Sequence, residues 1–370
     1  MKLTIKRQPL EKLLESVFAA VPAQTSEPAF KNFLITVDET GLTVLASSGD
    51  LSIQGFINQG DPSNPIINSE PGKIQVPAKY LLDIVKSLRS DIVTINLVDS
   101  SILYVSDELS QFQLNVMKAE EYPDIDISTE SKEEITIAMK DFLSLYNSTA
   151  FAVATKGPKE LFMGINVTIK DGKISFVATD SFRLARKYVP IASDRYASIT
   201  IPVKALSVVS KVTDQEFVSL IIDAPQKVVF KIGNLTVVSK LYNGDFPNVD
   251  RIIPNETNYQ LTVNSKEFID AIGRITIVGN TKILVNASPE QTEISSKDVN
   301  VGSSKELLAN AKFTGDRFSI IFNATYVIDA IKALNSENVT LAFVAENRAF
   351  LVKSDDESVT QVITPIRSFD

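Results

Sequence analysis

A hairpin signal that returns three times at a domain-sized interval constrains the fold of this chain more than any other feature. Phe33 to Val37 and Leu42 to Ala46 read as strands around the turn Asp38-Glu39-Thr40-Gly41. Ile165 to Ile169 and Lys173 to Ala178 flank Asp171-Gly172, a dipeptide suited to tight hairpins. A third copy runs from Ile283 to Ala287, turns near Pro289-Glu290 and returns through Thr292 to Ser295. Each copy leads through further strand into a helix start. Val76-Pro77-Ala78-Lys79 and Ile201-Pro202-Val203-Lys204 place a proline where a first helical turn tolerates its missing N–H. Phe322-Asn323-Ala324-Thr325 offers Asn323 as an N-cap. Three strand-like runs follow each helix, beginning near Val93, Val218 and Val339. Tyr122-Pro123-Asp124 and Phe246-Pro247-Asn248 close the first two copies alike.

The interval is roughly 120 to 125 residues, the size of one domain. Three such intervals fill the 370 residues. A shorter helix opens each of them: Leu10 to Ala20, Lys140 to Ala150 and Lys266 to Ile275. The expected architecture is α+β: three similar domains, 1–127, 128–254 and 255–370, each with two helices against antiparallel sheets.

Composition removes several kinds of chemistry. The chain has no cysteine, histidine or tryptophan. Disulfides, thiolate nucleophiles and cysteine-ligated zinc are excluded, which fits a reducing cytoplasm. Ser-His-Asp catalysis is excluded as well, because histidine is the commonest general acid and base at neutral pH. Carboxylate, lysine and tyrosine chemistry remain open. No apolar run approaches the length of a membrane span, so no membrane partner is expected. Glu11 and Glu15 interrupt the apolar part of Met1 to Ala23, which reads as an amphipathic helix rather than a signal peptide.

The formal net charge is -8, which argues against a surface that coats nucleic acid everywhere. It leaves room for a basic face, because binding follows the distribution of charge. In the helix after Pro77, Leu81, Leu82, Val85 and Leu88 form the apolar stripe, and Lys79 and Lys86 share the opposite face. After Pro202 the stripe is Leu206, Val209 and Val212, and Lys204 and Lys211 repeat the two lysines. Lys332 takes the Lys86 position in the third copy, where Thr325 replaces the first lysine. Lys140 and Lys266 match each other on the shorter helices, Arg274 adds charge there, and Arg251 is counted with this set. One such lysine only keeps a helix wet. Matched lysines on repeated helices in an acidic chain suit a repeating row of negative charge, a phosphate backbone. Contacts of that kind are independent of base sequence. Asp83, Glu267, Asp270 and Asp329 interrupt the pattern.

Several segments carry a family resemblance. Val177-Ala178-Thr179-Asp180-Ser181-Phe182-Arg183-Leu184-Ala185, Ser239-Lys240-Leu241-Tyr242-Asn243-Gly244-Asp245-Phe246-Pro247, Phe322 to Leu334 and Val362-Ile363-Thr364-Pro365-Ile366-Arg367 resemble the beta sliding clamps of bacterial replicative DNA polymerases. The resemblance spans the chain and is densest from Lys140 onward. It implies a homodimeric ring, closed head to tail, whose helices line a hole around double-stranded DNA and whose sheets lie outside. It implies no catalytic residue, no metal ligand and no cofactor. The expected work is processivity: holding the polymerase catalytic subunit on DNA, with the clamp loader, repair polymerases, ligase and mismatch-repair proteins as further partners.

The resemblance also implies a groove that takes short peptide motifs. Its walls would be Phe162, Thr179, Arg183, Leu184, Pro247 and Ile252 on one side. Asn323, Tyr326, Val362, Thr364, Pro365, Ile366 and Arg367 would form the other. Phe112 and Leu114 on an edge strand would meet Ile277 and Val278 of a second copy. Ser181 stands where the family usually has glycine, and Thr364 where it usually has an apolar residue. Ser368-Phe369-Asp370 runs past the usual end, and the usual motif is missing around Glu27 to Asn32.

Two other readings compete. Asp124-Ile125-Asp126 and Asp355-Asp356-Glu357 could recruit a divalent cation for phosphodiester hydrolysis. A repeat-built interaction scaffold that never encircles DNA would share the threefold pattern.

Overall fold

The computed structural model describes the chain except for residues 64, 129–132, 224–225 and 368–370. The Ser368-Phe369-Asp370 extension therefore lies outside the described residues. Each third is built on one order of elements, with extra strands in the first and third. The first third contains β1 (Lys2–Lys6), α1 (Arg7–Phe18), β2 (Asn32–Val37), β3 (Gly41–Ser47), β4 (Leu51–Asn58) and β5 (Ile66–Glu70). It continues with β6 (Gly72–Pro77), α2 (Ala78–Ser87), β7 (Ile92–Val98), β8 (Ile102–Ser106), β9 (Gln111–Asn115) and the short β10 (Met117–Lys118). The second contains β11 (Ile135–Ala138), α3 (Met139–Thr149), β12 (Gly164–Lys170), β13 (Lys173–Thr179) and β14 (Arg183–Pro190). Then come β15 (Ala197–Pro202), α4 (Val203–Val209), β16 (Phe217–Asp223), β17 (Lys227–Ile232) and β18 (Leu235–Lys240). The third contains β19 (Tyr259–Asn264), α5 (Ser265–Ile275), β20 (Lys282–Ala287), β21 (Thr292–Asp298), β22 (Gly302–Leu307) and β23 (Lys312–Thr314). It ends with β24 (Phe318–Asn323), α6 (Ala324–Leu334), β25 (Asn338–Phe343), β26 (Phe350–Lys353) and β27 (Val359–Ile363).

Local chemistry explains these elements. Asp171 and Gly172 both have positive φ, as the tight β12–β13 turn demands of an Asp-Gly pair. The Asn323 side chain accepts from the backbone N–H of Thr325 at the start of α6, and Asn335 ends that helix in the left-handed conformation. Pro77 and Pro202 lie one residue earlier than the sequence suggests. Each ends a strand, and its helix begins at the next residue. α4 stops at Val209, so Val212 and Lys211 lie in the tight turns that follow it rather than on the helix. The leading strands β1, β11 and β19 went unread in the sequence because each is short and runs directly into a helix.

The chain divides into two compact units. Met1–Met139 with Lys204–Leu241 form the first, and Lys140–Val203 with Tyr242–Asp370 form the second. The middle third contributes to both. In the first unit one antiparallel sheet has the order β5-β1-β7-β8-β9, and a nine-stranded sheet runs β10-β6-β2-β3-β4-β18-β17-β16-β11. Leu10, Leu13, Leu14 and Val17 of α1 and Ala78, Leu81, Leu82 and Val85 of α2 are buried against this unit's sheets.

In the second unit a nine-stranded sheet runs β15-β12-β13-β14-β27-β26-β25-β19-β23, and a four-stranded sheet runs β22-β21-β20-β24. Its core gathers Phe268, Phe322, Phe343 and Phe350 with the apolar faces of α5 and α6. Burial of side chains this large stabilises each unit by roughly 1.5 to 3 kcal/mol apiece.

The repeats share one register. Ile5 faces Val93, Ile137 faces Val218 and Val263 faces Val339. At the β4–β18 seam Ile53 faces Val237, and at the β14–β27 seam the matching residues Ala185 and Gln361 face each other. The strands equivalent to these seam partners, β9 and β22, are edges of their sheets.

Candidate nucleic-acid and peptide interfaces

The cations singled out in the sequence are all exposed. In the first unit Lys79 and Lys86 lie on α2. Lys86 reaches Glu15 of α1 at 2.6 Å, and that hydrogen bond raises the lysine above its ordinary pKa. Lys79 has a looser pair with Asp83 at 3.9 Å. Lys204 opens the first-unit part of α4, and Lys211 follows that helix. Neither has an ion pair among the described residues. The first unit also shows a cation the sequence pattern missed: Lys12 of α1, bound to Asp214. Its helix position matches that of Asp270, not of Lys140 or Lys266, so a search for repeated lysines passes over it.

In the second unit Lys140 and Lys266 sit in the first turns of α3 and α5, and Lys332 in the last turn of α6. Lys266 is bound to Asp270 at 2.7 Å, which raises its pKa, and Arg274 is bound to Glu306. Arg251 lies in an exposed loop. The pairs are solvent-facing, so each is weak and open to exchange for a phosphate oxygen.

The groove residues lie in the second unit, and most are brought together there. Leu184 faces Val362 across the β14–β27 seam. Both are buried with Val177, Val249 and Leu351, and Phe246 and Ile253 pack on them. Phe162, also buried, meets Phe246 edge-to-face at 6.0 Å. These residues form a small buried cluster rather than an exposed surface. Pro247 and Ile252 are exposed beside them. Phe246, Val249 and Ile253 also belong to this cluster and were not singled out in the sequence, though they flank Pro247 and Ile252.

Arg183 organises the other end. Its Nε donates to Asp180 at 3.0 Å and its Nη1 to Asp329 of α6 at 2.6 Å. Its guanidinium lies over Tyr326 at 4.7 Å and Phe151 at 5.3 Å. Thr179 donates from Oγ1 to the Arg183 carbonyl at 2.7 Å, fixing the turn from below. Arg183 is thus largely committed within the protein. Burial, and then the Asp180 charge, push the Tyr326 hydroxyl up from its ordinary pKa. The exposed Phe182 ring stacks on Tyr326 at 6.5 Å, a contact no motif announced.

Thr364 and Ile366 are tied into the same place. The Thr364 N–H and hydroxyl both donate to the Phe182 carbonyl at 2.9 Å, and the Ile366 N–H donates to Ile321. Asn323 is half-buried at the start of α6, as are Thr364, Pro365 and Ile366, while Arg367 is exposed. The polar Thr364 is therefore a staple to the Ser181-Phe182 turn.

The edge-strand residues are where a second copy could reach them. Phe112 on β9 is 37% exposed and Leu114 is half-buried. Ile277 and Val278 follow α5, and Ile277 is 80% exposed. The acidic clusters behave differently from a metal site. Asp126 binds Lys227 and Ser128, which hold its carboxyl down to about 2. Asp356 binds the buried Lys187 and Ser358. Among the described residues no group of acidic side chains is arranged to hold a metal ion. Among the described residues, also, no helix is long and apolar enough to cross a membrane.

Comparison with known proteins gives one answer along the whole chain. Residues 1–126, 136–248 and 250–367 match the N-terminal, central and C-terminal domains of the DNA polymerase III beta subunit. The beta sliding clamp of Bacillus subtilis is 30% identical over 380 residues, covering all of both chains. That of Staphylococcus aureus is 28% identical over 377 residues, again covering both completely. The crystal structure of the Bacillus subtilis DNA polymerase sliding clamp superposes with a TM-score of 0.94 at 29% identity over both whole chains. The DNA polymerase III beta chain of Streptococcus pneumoniae gives 0.94 at 25% identity, covering 99% of this chain and 100% of that one. With its three α+β repeats and matches over its full length, this chain belongs to the bacterial beta sliding clamp family, the beta subunits of DNA polymerase III.

Proposed function

We propose that two copies of this chain close head to tail around duplex DNA and slide on it, tethering the replicative polymerase without any catalytic step. The observation that carries the reading is the repeated seam. β18 closes on β4 and β27 closes on β14 in the same register, while β9 and β22, their counterparts, remain edges. A second copy supplies each missing partner. A head-to-tail contact of this kind must close, or it grows into filaments. Carrying the register over places Phe112 opposite the partner's Ser304 and Leu114 opposite the partner's Gly302, small residues that leave room for the two side chains. Val278 matches Ala20, which is buried in the first unit, so its exposure here suits a face awaiting its cover. Covering both edges also removes two sites of unwanted strand pairing.

Inside the ring, Lys79, Lys86, Lys140, Lys204, Lys211, Arg251, Lys266, Arg274 and Lys332 are the residues we assign to the phosphate backbone. Their contacts are to phosphate and carry no sequence preference. The three repeated domains, about 1–127, 128–254 and 255–370, provide the pseudo-symmetry. The groove around Leu184, Val362, Pro247, Ile252 and Tyr326 would take the apolar anchors of short motifs from the polymerase, the clamp loader, repair polymerases, ligase and mismatch-repair proteins. A replication clamp of this kind works in the cytoplasm.

The test is retention of labelled protein on plasmid in high salt after loading by a matching clamp loader. Retention on the circle and release after a single cut are expected. Electrostatic binding alone is salt-labile and indifferent to ends, so equal release from both forms would refute encirclement.

A further inference from the structure

The seams inside the chain predict a contact at the seam between copies. In the first unit an ion pair spans the end of the β4–β18 seam, Lys12 of α1 with Asp214 of the turn before β16. The same two places can be found in the other repeats. Lys86 and Val93 match Lys211 and Val218 with no residue gained or lost between them, so Arg89 stands where Asp214 does. Ile5 and Val263 hold matching register positions and each helix follows directly, so Asp270 stands where Lys12 does. At the β14–β27 seam these places hold Ser144 and Asn335, which are uncharged. The pair is therefore opposite in order at the seam that a second copy must complete: cation from the β7 side, carboxylate from the helix.

Two further features converge on the same spot. Leu109 and Leu307 are 76% and 57% exposed. They match Asn234 and Phe56, which the first unit joins directly: the Phe56 N–H donates to the Asn234 carbonyl at 3.0 Å and Asn234 Nδ2 donates to the Phe56 carbonyl at 2.8 Å. The second unit also has a cavity of about 240 Å³ lined by Asp270, Arg274, Glu306 and Leu307. Its counterpart in the first unit is walled on the far side by Asp214 and Asn234, the residues that Arg89 and Leu109 match. Arg89 and Leu109 are already held together. The Asp107 carboxylate accepts the backbone N–H groups of Arg89 at 3.0 Å, Ser90 at 3.2 Å, Leu109 at 3.0 Å and Ser110 at 2.7 Å. The Arg89 side chain has no ion pair among the described residues.

We propose that Arg89 of one copy pairs with the partner's Asp270 while Leu109 packs on the partner's Leu307, a contact that rests on the head-to-tail reading above. Asp270 then shares its charge between Lys266 on its own helix and the incoming guanidinium. The reversed order makes the contact selective, since an acidic residue at 89 would face Asp270 and Glu306 together.

A charge-swap cycle on the full-length protein tests it, reading the dimer dissociation constant by sedimentation at low salt. R89D and D270R should each weaken the dimer roughly tenfold, and the combination should recover to within about threefold of the parent. Because D270R also breaks the Lys266 pair, the recovery rather than the single loss is the decisive reading, and matching circular dichroism spectra check folding. Additive weakening in the combined variant, with the parent dimeric, would overturn the pair and leave the ring. A parent that stays monomeric at micromolar concentration would overturn both.

Discussion

Ser181 shows how a single residue departs from its surroundings. Its φ is +80°, in the left-handed region that side chains with a Cβ avoid. It is exposed, and its backbone N–H is held by Thr179 Oγ1 at 3.1 Å, so the turn imposes the conformation on the residue. Relief of a strain of about 1 to 2 kcal/mol outweighs the unfolded-state entropy of glycine, about 0.5 to 1 kcal/mol. Ser181→Gly should therefore stabilise the protein by roughly 0.5 to 1 kcal/mol in urea denaturation. A loss of stability would show that the serine side chain contributes more than the strain removes. Arg183 illustrates the opposite relation. The motif marks it as a polar group for a peptide, but two carboxylates and two rings already occupy it. Its removal would cost Asp329 its ion pair and loosen the link between β14 and α6, while Asp180 would keep the backbone N–H groups of Phe182 and residue 183.

Among elements, the edge strand β9 has the most to gain from a partner. Among the described residues, no strand of its own unit pairs with its outward row of N–H and C=O groups, and Phe112 is partly exposed. Phe112→Ala with Leu114→Ala should weaken the dimer by on the order of a hundredfold, as loss of a central aromatic anchor does. An unchanged dimer mass at nanomolar concentration would show that β9 is not the interface. The elements themselves were largely readable. All three hairpins and all six α-helices among the described residues stand within a few residues of where periodicity and turn chemistry put them. The misses have local causes. β1, β11 and β19 carry only two inward apolar positions each, too few to show alternation before a helix takes over. α4 ends early because its last carbonyls are taken by tight three-residue turns.

For the whole molecule the question is how a chain of net charge -8 holds DNA. Segregation answers it under the assignment proposed above: the repeated helices face inward, and the phosphate row replaces carboxylates such as Glu15 and Asp83 around Lys86 and Lys79. Lys86→Glu with Lys211→Glu should shorten residence on nicked circular DNA several-fold at moderate salt and leave peptide binding intact. Loss of peptide binding instead would move those lysines out of the hole.

The periodicity of turns, apolar runs and lysines was determined by the sequence alone, because each is a local matter of φ preference and of strand or helix spacing. The partition of the repeats was not. Only the tertiary structure showed the middle third divided between two compact units, since the β4–β18 and β14–β27 pairings join backbone groups that no local signal connects. The same holds for the site. Thr179, Leu184 and Val362 could be named from the chain, but that Arg183 is consumed by Asp180 and Asp329, and Thr364 by the Phe182 carbonyl, depends on which distant groups folding brings within hydrogen-bond reach.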